Sequence, residues 1–136
     1  MDVSFKAVLF DDAGRVLLGT NPRDEWELLG GRADPEDSGP ADTITRELVE
    51  EAGVPIRVGH LIDIWYYDIP HEGRVAVASY LAHFIGPATL QASHEHSRLA
   101  FFSIDELDGL RMPSQYATTI RAAATYLHDR QQKGIQ

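Results

Sequence analysis

In the first forty residues, short apolar runs are separated by turn-forming segments, and this pattern predicts short strands. The run Phe5–Phe10 predicts a strand, the residues 11–14 predict a turn, and Arg15–Leu18 predicts the return strand of a hairpin. A further short strand is expected at Trp26–Leu29, ending at two glycines. Residues 32–40 contain glycine, prolines and acids, so they are expected to form an irregular loop.

From Ala41 the apolar spacing becomes that of a helix. The apolar stripe consists of Ile44, Leu48, Val49 and Ala52. Asp42 and Thr43 are typical of a helix start, and Gly53 stands where a helix end favours glycine. The sequence therefore predicts one helix between the irregular loop and Gly53.

The second half predicts strands followed by a helix. Val54–Asp68 and Arg74–Ile85 are rich in β-branched and aromatic residues and predict a hairpin. Next come a short strand at Leu99–Phe102, a capped helical turn at residues 103–107 and a last helix at Ser114–Gln132. This order indicates one α+β domain over residues 1–136, with a mixed β-sheet sandwiched between helices in an α/β/α arrangement.

Composition narrows the classes of protein. The 136 residues include 43% hydrophobic and 24% charged side chains, which is typical of an ordinary globular domain. No apolar stretch is long enough for a membrane helix, and the N-terminus lacks the pattern of a secretory signal. The absence of cysteine excludes disulfides and thiolate chemistry. We therefore expect a cytoplasmic protein with no membrane partner.

The net charge of −9 argues against a nucleic-acid polymer as partner, because binding along a phosphate backbone needs a basic surface. Small phosphorylated substrates are compatible with this negative charge, since a bound cation can invert the charge around it. Excess acid can also serve solubility alone.

Three glutamates give the predicted helix its chemistry. Glu47, Glu50 and Glu51 have i, i+3 and i+4 spacing, so they share one helical face near the C-terminal end. Like charges repel at this spacing, and the helix dipole disfavours anions there. A divalent cation would remove the conflict. A solvated acidic face, with Arg46 pairing with Glu50, is the alternative that the three glutamates alone leave open.

The surrounding residues resemble the Nudix box, the sequence motif of the Nudix hydrolase family (MutT-like). The family pattern is Gly, five residues, Glu, seven residues, then Arg-Glu-aliphatic-any-Glu-Glu-any-Gly-aliphatic. Its second half is matched at Arg46, Glu47, Leu48, Glu50, Glu51, Gly53 and Val54. Upstream, residues 26–31 look like the strand and double glycine that enter the Nudix loop. The resemblance extends over most of the chain and implies the Nudix fold.

The first half of the box departs from the family pattern. Asp37, with Glu36 beside it, stands where the pattern has glutamate, and eight residues rather than seven separate it from Arg46. Leu29 replaces the usual proline. Asp37 is short but could reach a metal directly or through water, so altered metal number, substrate or activity is a possible consequence of this loop.

The resemblance implies particular roles for the matched residues. Glu47, Glu50 and Glu51, together with the carbonyl of Gly31, would hold Mg²⁺ or Mn²⁺. Glu47 would act as ligand or general base, Glu50 as ligand, and Arg46 would orient the glutamates through its fork geometry.

The resemblance also singles out Glu95, in the loop before the strand at Leu99–Phe102. Many Nudix proteins carry a glutamate there that binds metal or serves as the base. A solvated loop acid is the alternative. His94 and His96, two apart in the same loop, are a weak signal for metal ligation.

Aromatic and basic residues are further candidates for substrate contacts. Rings able to stack on a base are Trp65, Tyr66, Tyr67 and Tyr80, although most are expected to be core or sheet-face residues. Strand alternation places Trp65 and Tyr67 on one face and Tyr66 on the other. Arg32 and Arg74 are candidate phosphate contacts.

The predicted function is metal-dependent hydrolysis of a phosphoanhydride bond in a nucleoside diphosphate linked to another group. A nucleoside triphosphate, ADP-ribose, a nucleotide sugar or a dinucleoside polyphosphate would fit. The alternative is a Nudix-fold nucleotide-binding or sensing module with little turnover. The isomerase branch of the fold depends on a cysteine, which this chain lacks. A homodimer is a further expectation drawn from relatives.

Overall fold

Groups of strands are followed by helices along the chain in a computed structural model, which describes residues 1–90 and 98–133. The strands are β1 (Asp2–Leu9), β2 (Val16–Thr20), β3 (Trp26–Glu27), β4 (Leu29–Arg32), β5 (Ile56–Ile69), β6 (Gly73–Phe84) and β7 (Leu99–Phe102). The helices are α1 (Pro40–Ala52), a 3₁₀ helix (Ile104–Gly109) and α2 (Ser114–Gln132). No described helix combines the length and apolar character needed to span a bilayer.

The strands form two sheets. One has the order β4-β1-β6-β5, with β1 parallel to β6 and the other pairs antiparallel. The other is antiparallel, with the order β3-β2-β7. The predicted α+β class and mixed sheet are confirmed, as is the hairpin formed by the two longest strands.

The four-stranded sheet lies between the helices, as the α/β/α prediction requires. Alternation along β1 sends Ala7 and Leu9 toward α1, where they pack with Ile44 and other apolar residues. Val8 points to the other face and joins the cluster formed by α2. One strand thus contributes to both halves of the core.

The predicted hairpin of the first two strands forms only at its turn. The Asp11 N–H donates to the Arg15 carbonyl at 2.8 Å, and Phe10 pairs with Val16. Beyond that pair β2 leaves β1 and joins the second sheet. The physical reason is that β4 and β6 already occupy both edges of β1.

Two element boundaries also differ from the predictions. The strand expected at Trp26–Leu29 is interrupted at Leu28, which is fully buried between β3 and β4. Helix α1 begins at Pro40, earlier than expected, since proline is well tolerated at a first helical position. Its predicted end is confirmed: Gly53 has a left-handed conformation with φ of 68°.

Gly30 is the position where the sheet tolerates no side chain. Its φ is +147°, and a Cβ there would overlap the carbonyl oxygen of Phe5 on the neighbouring strand. The obstacle is backbone, so relief would require β1 and β4 to separate. Gly14 has φ of +77° but open space around it.

We therefore predict that Gly30→Ala is far more destabilising than Gly14→Ala. The Gly14 variant should lose about 1 kcal/mol, the cost of a left-handed alanine. The Gly30 variant should lose more than about 3 kcal/mol, because overpacking adds to the conformational cost. Urea unfolding of both variants measures the two free energies of unfolding. Equal losses would contradict the close approach of β1 and β4.

Candidate active site

The glutamates of α1 divide between the protein interior and solvent. Glu47 and Glu51 are buried, with 9% and 2% of their surface exposed, whereas the Glu50 side chain is 53% exposed. At 100° per residue the three span an arc of about 100°, with Glu47 and Glu51 closest together. The shared face predicted from the sequence is present, and its inner edge packs against β4.

Two glycines of β4 accommodate the buried glutamates. The Gly30 N–H donates to Oε2 of Glu51 at 2.9 Å, which gives this buried carboxylate a backbone donor. A Cβ on Gly31 would lie 2.6 Å from Cδ of Glu47, so any side chain there would displace that carboxylate. The double glycine thus brings backbone donors and acceptors next to the glutamates of α1.

Arg46 stands at the centre of a cluster of carboxylates. Its Nη2 lies 2.9 Å from Asp37, and its Nη1 lies 3.1 Å from Glu47 and 3.4 Å from Glu50. Its Nε lies 3.4 Å from Asp34. The hydrogen bond to Asp37 is the main cause of the raised pKa of Arg46. The Arg46–Glu50 pair expected from the i, i+4 spacing exists, but it is only one of several contacts of this guanidinium.

Asp37 holds Arg46 in place. Besides Arg46, its Oδ2 accepts hydrogen bonds from Thr43 Oγ1 at 2.8 Å and from the Asp34 N–H at 2.9 Å. The Arg46 hydrogen bond holds the pKa of this carboxyl well below its usual range. The sequence left open a direct contact of Asp37 with metal, but in the structure its oxygens face these donors.

The three helix glutamates offer the oxygen donors that Mg²⁺ and Mn²⁺ prefer. Within residues 1–90 and 98–133, no three acidic or histidine side chains lie close enough together, in their present conformations, to bind one metal ion. Glu47 and Glu51 turn toward the glycine pair, while Glu50 turns toward Arg46 with contacts of 3.4–3.5 Å. The carboxylate oxygens are the donors of a divalent-cation site, and Glu50 is exposed with only long contacts to Arg46. The residues therefore fit a divalent cation.

A buried lysine near these glutamates was missed by the sequence analysis. Lys6 is 7% exposed, and its Nζ lies 3.7 Å from Oε2 of Glu27. Burial lowers the pKa of Lys6, but Tyr116 and the carboxylates of Glu27, Glu51 and Glu47 outweigh it and raise that pKa above its usual range. The signal in the sequence was a lone charge inside an otherwise apolar strand.

The phenol of Tyr116 lies on the same side of the sheet as Lys6. Burial raises its pKa to about 12, so it is a neutral hydrogen-bonding group at physiological pH. Its ring packs edge-on against Trp65, with centroids 5.1 Å apart. The first turn of α2 thus places a buried phenol near Lys6.

The remaining predicted candidates lie elsewhere or outside the described residues. Glu95, with His94 and His96, falls in residues 91–97, which the structure does not describe. Arg32 pairs with Asp2 at 3.3 Å, and Arg74 makes two hydrogen bonds to Asp68, at 2.9 and 3.2 Å. Both arginines therefore pair with acids outside the glutamate helix.

The aromatic candidates follow the predicted alternation. Trp65 and Tyr67 pack against the core on the α2 side, whereas Tyr66 is 62% exposed on the other face. Tyr80 packs against the core cluster of α1. Most of these rings are therefore core or sheet-face residues, as expected.

Known proteins were compared with the chain in sequence and in fold. The model of the NUDIX domain family matches residues 2–123. Search of curated protein sequences found no match. Among solved structures, the MutT NUDIX hydrolase from Burkholderia pseudomallei is 25% identical, with a TM-score of 0.73, and the alignment covers 89% of this chain and 96% of that one.

Two more distant structures share the fold. A C. elegans Ap4A hydrolase in a binary complex is 19% identical, with a TM-score of 0.82 and coverage of 95% of this chain and 99% of that one. An ADP-ribose pyrophosphatase from Streptococcus suis 89-1591 is 22% identical, with a TM-score of 0.71 and coverage of 90% and 88%.

The fold and the glutamate helix define a Nudix-type pyrophosphohydrolase, an enzyme class that acts on acid anhydrides. The family match covers most of the chain, and the chain belongs to the NUDIX family. The predicted family, fold and enzyme class are confirmed.

We predict that Asp37→Asn destabilises the protein only above the acid range. The folded-state pKa of Asp37 is lowered, so the stability that its charge contributes is present above the unfolded-state value of about 3.9. That contribution declines as the pH falls from there toward the folded-state pKa. Urea unfolding of wild type and variant between about pH 3 and pH 7 measures the difference.

The difference between wild type and Asp37→Asn should be constant near neutral pH and shrink below about pH 4. Asp12→Asn, in the turn after β1, changes the same charge outside the Arg46 cluster and is the matched control. A gap between wild type and Asp37→Asn that persists unchanged at pH 3 would contradict the ionic contact.

Proposed function

We propose that this protein hydrolyses a phosphoanhydride bond in a nucleoside diphosphate linked to another group, with a divalent cation. The observation that carries the proposal is the packing of the α1 glutamates on the glycine pair of β4. Glu51 accepts the Gly30 N–H, Glu47 lies against Gly31, and Arg46 joins Glu47 to Glu50. A helix selected for stability alone would not gather these anions at its C-terminal end.

Glu47, Glu50, Glu51 and the carbonyl of Gly31 would hold Mg²⁺ or Mn²⁺. When bound, such an ion neutralises phosphate charge and lowers the pKa of water. All of these ligands would be oxygen atoms. Glu50 would have to turn away from Arg46 to bind the ion together with the other two glutamates. We propose a role for Glu47 as ligand or general base and for Arg46 as the positioning residue.

The chain's own residues would prepare the site for attack on phosphorus. Arg46 keeps Glu47 directed along the face of α1, because its guanidinium is itself held by Asp37. Glu47 is buried, so its carboxylate would accept a proton from water in a partly desolvated environment. Lys6 places a permanent positive charge beneath the site, which favours an anionic substrate. Glu95 is a second candidate for the base or a metal ligand.

The substrate is proposed only as a class. The similar structures are named for MutT, Ap4A and ADP-ribose activities, so their names do not agree on one substrate. Nucleoside triphosphates, ADP-ribose, nucleotide sugars and dinucleoside polyphosphates share the diphosphate that a metal would bridge. A nucleotide-binding or sensing module is the alternative function. One domain over residues 1–136, a cytoplasmic location and a homodimer stay predictions.

We predict that Glu50→Gln abolishes metal-dependent cleavage while leaving the fold intact. The exposed side chain contributes little packing, but the variant loses a charge needed at the metal. Mutation of residues that only support metal ligands typically lowers metal affinity or activity about 10- to 100-fold. Loss of a ligand itself should therefore lower the rate at least about a hundredfold. The measurement is phosphate and nucleotide release from a panel of nucleoside diphosphate derivatives with Mg²⁺, Mn²⁺ or EDTA.

Glu72→Gln is the matched control, since Glu72 is an exposed glutamate at the β5–β6 turn. It should keep the wild-type rate. Wild-type rates in Glu50→Gln would overturn the metal assignment. Binding of a panel member without cleavage of any would favour the sensing module.

We also predict that Arg46→Lys raises the metal concentration needed for half-maximal activity. Lysine keeps the charge but lacks the fork that reaches Asp37, Glu47 and Glu50 together. We expect this metal concentration to rise about tenfold, because loss of a residue that orients metal ligands typically weakens metal affinity by about that factor. Titration with Mn²⁺ at saturating substrate measures it. A lower rate with an unchanged metal requirement would mean that Arg46 does not position the ligands.

A further inference from the structure

A second polar cavity lies on the α2 side of the four-stranded sheet, away from the glutamate helix. It has a volume of about 480 Å³ and is formed by β5, β6 and the C-terminal half of α2. Its polar lining includes Arg57 and His60 from β5, His83 from β6, and Arg130 from α2. The volume falls in the range of small-molecule sites.

An irregularity in β5 shapes this cavity. The pairing of β5 with β6 shifts register between Val58 and Leu61, so an extra residue bulges from the strand. Gly59 lies in the bulge, where a Cβ would be 3.1 Å from the Leu81 carbonyl oxygen. The next residue, His60, stacks on Tyr126 of α2 with centroids 4.4 Å apart and planes 6° from parallel. The bulge thus places His60 against the C-terminal half of α2.

The cavity is basic in a protein of net charge −9. Two arginines and two histidines line it, and no aspartate or glutamate is among the described residues of its lining. No carboxylate in the described ranges lies within ion-pair distance of Arg57. Burial, and after it the nearby Arg57, lowers the pKa of His83.

Two ordinary explanations account for parts of this cluster only. A cation near the end of α2 offsets the helix dipole, which explains Arg130. A charge on the edge strand β5 discourages edge-to-edge pairing, which explains Arg57. Neither explains why an arginine from β5 and an arginine from α2 line the same cavity.

We propose that this cavity binds the phosphate group of a small molecule. Guanidinium forks match phosphate oxygens, and Arg57 and Arg130 line the same space. Arg130 is held at the cavity by Tyr126, whose hydroxyl accepts a hydrogen bond from Nη1 of Arg130 at 3.1 Å.

This site is distinct from the glutamate site. The glycine pair lies on β4, at one edge of the sheet, and β5 forms the opposite edge. Three strand spacings, about 14 Å, separate the edges. The inference therefore goes beyond the proposed hydrolysis and does not depend on it.

The test is calorimetric titration of the full chain in EDTA with inorganic phosphate, adenosine monophosphate and adenosine. EDTA removes divalent cations, so the acidic glutamate site should not attract anions. We expect saturable binding of adenosine monophosphate, of inorganic phosphate, or of both, and much weaker binding of adenosine. Adenosine binding as tightly as adenosine monophosphate, or no saturable binding of either phosphate, would overturn the proposal.

Variants locate the binding. Arg57→Gln should weaken it about tenfold or more, the scale of one charge-assisted hydrogen bond, and Arg57→Glu should abolish it. Arg121→Gln is the matched control, because Arg121 is on α2 outside the cavity and pairs with Asp108 at the surface. It should bind as wild type does, as should Glu50→Gln. Unchanged affinity in both Arg57 variants, with wild-type melting temperatures, would overturn the assignment of the cavity.

Discussion

The close contact between α1 and the glycine pair of β4 is the constraint on which the rest of the structure depends. Gly30 has no room for a side chain because the Phe5 carbonyl occupies that space, and Gly31 has none because Glu47 does. Two successive residues without side chains let a helix approach a strand closely enough for a backbone N–H to reach Glu51. The sheet, the helix and the carboxylates are therefore positioned by one contact.

This contact concentrates negative charge where the protein interior tolerates it poorly. Buried carboxylates need donors or counter-charges, and here the Gly30 N–H, Arg46 and Lys6 provide them. The helix dipole opposes the arrangement, since the glutamates lie toward its negative end. Local conflict of this kind is characteristic of functional sites, where stability is given up for chemistry.

Apolar runs predicted most strands and apolar spacing predicted the helices, because the central strands are buried on both faces whereas each helix is buried on one. It could not predict that β2 would leave β1, since that outcome depends on competition for the edges of β1. The glutamate face followed from spacing alone. The Lys6–Glu27 pair did not, because it joins β1 to β3 through tertiary contact. The role of Asp37 was also hidden, because counting residues reveals position in a loop but not the direction of a side chain.

The unusual loop argues for a working site rather than a decayed one. Aspartate is one methylene shorter than the glutamate of the family pattern, and the loop is one residue longer. The two changes offset each other, since Asp37 still reaches Arg46 at 2.9 Å and also accepts Thr43. The Asp37 side chain is only 8% exposed, so its pairing with Arg46 contributes to stability. The same contact holds Arg46, and through Arg46 the two glutamates that Arg46 contacts.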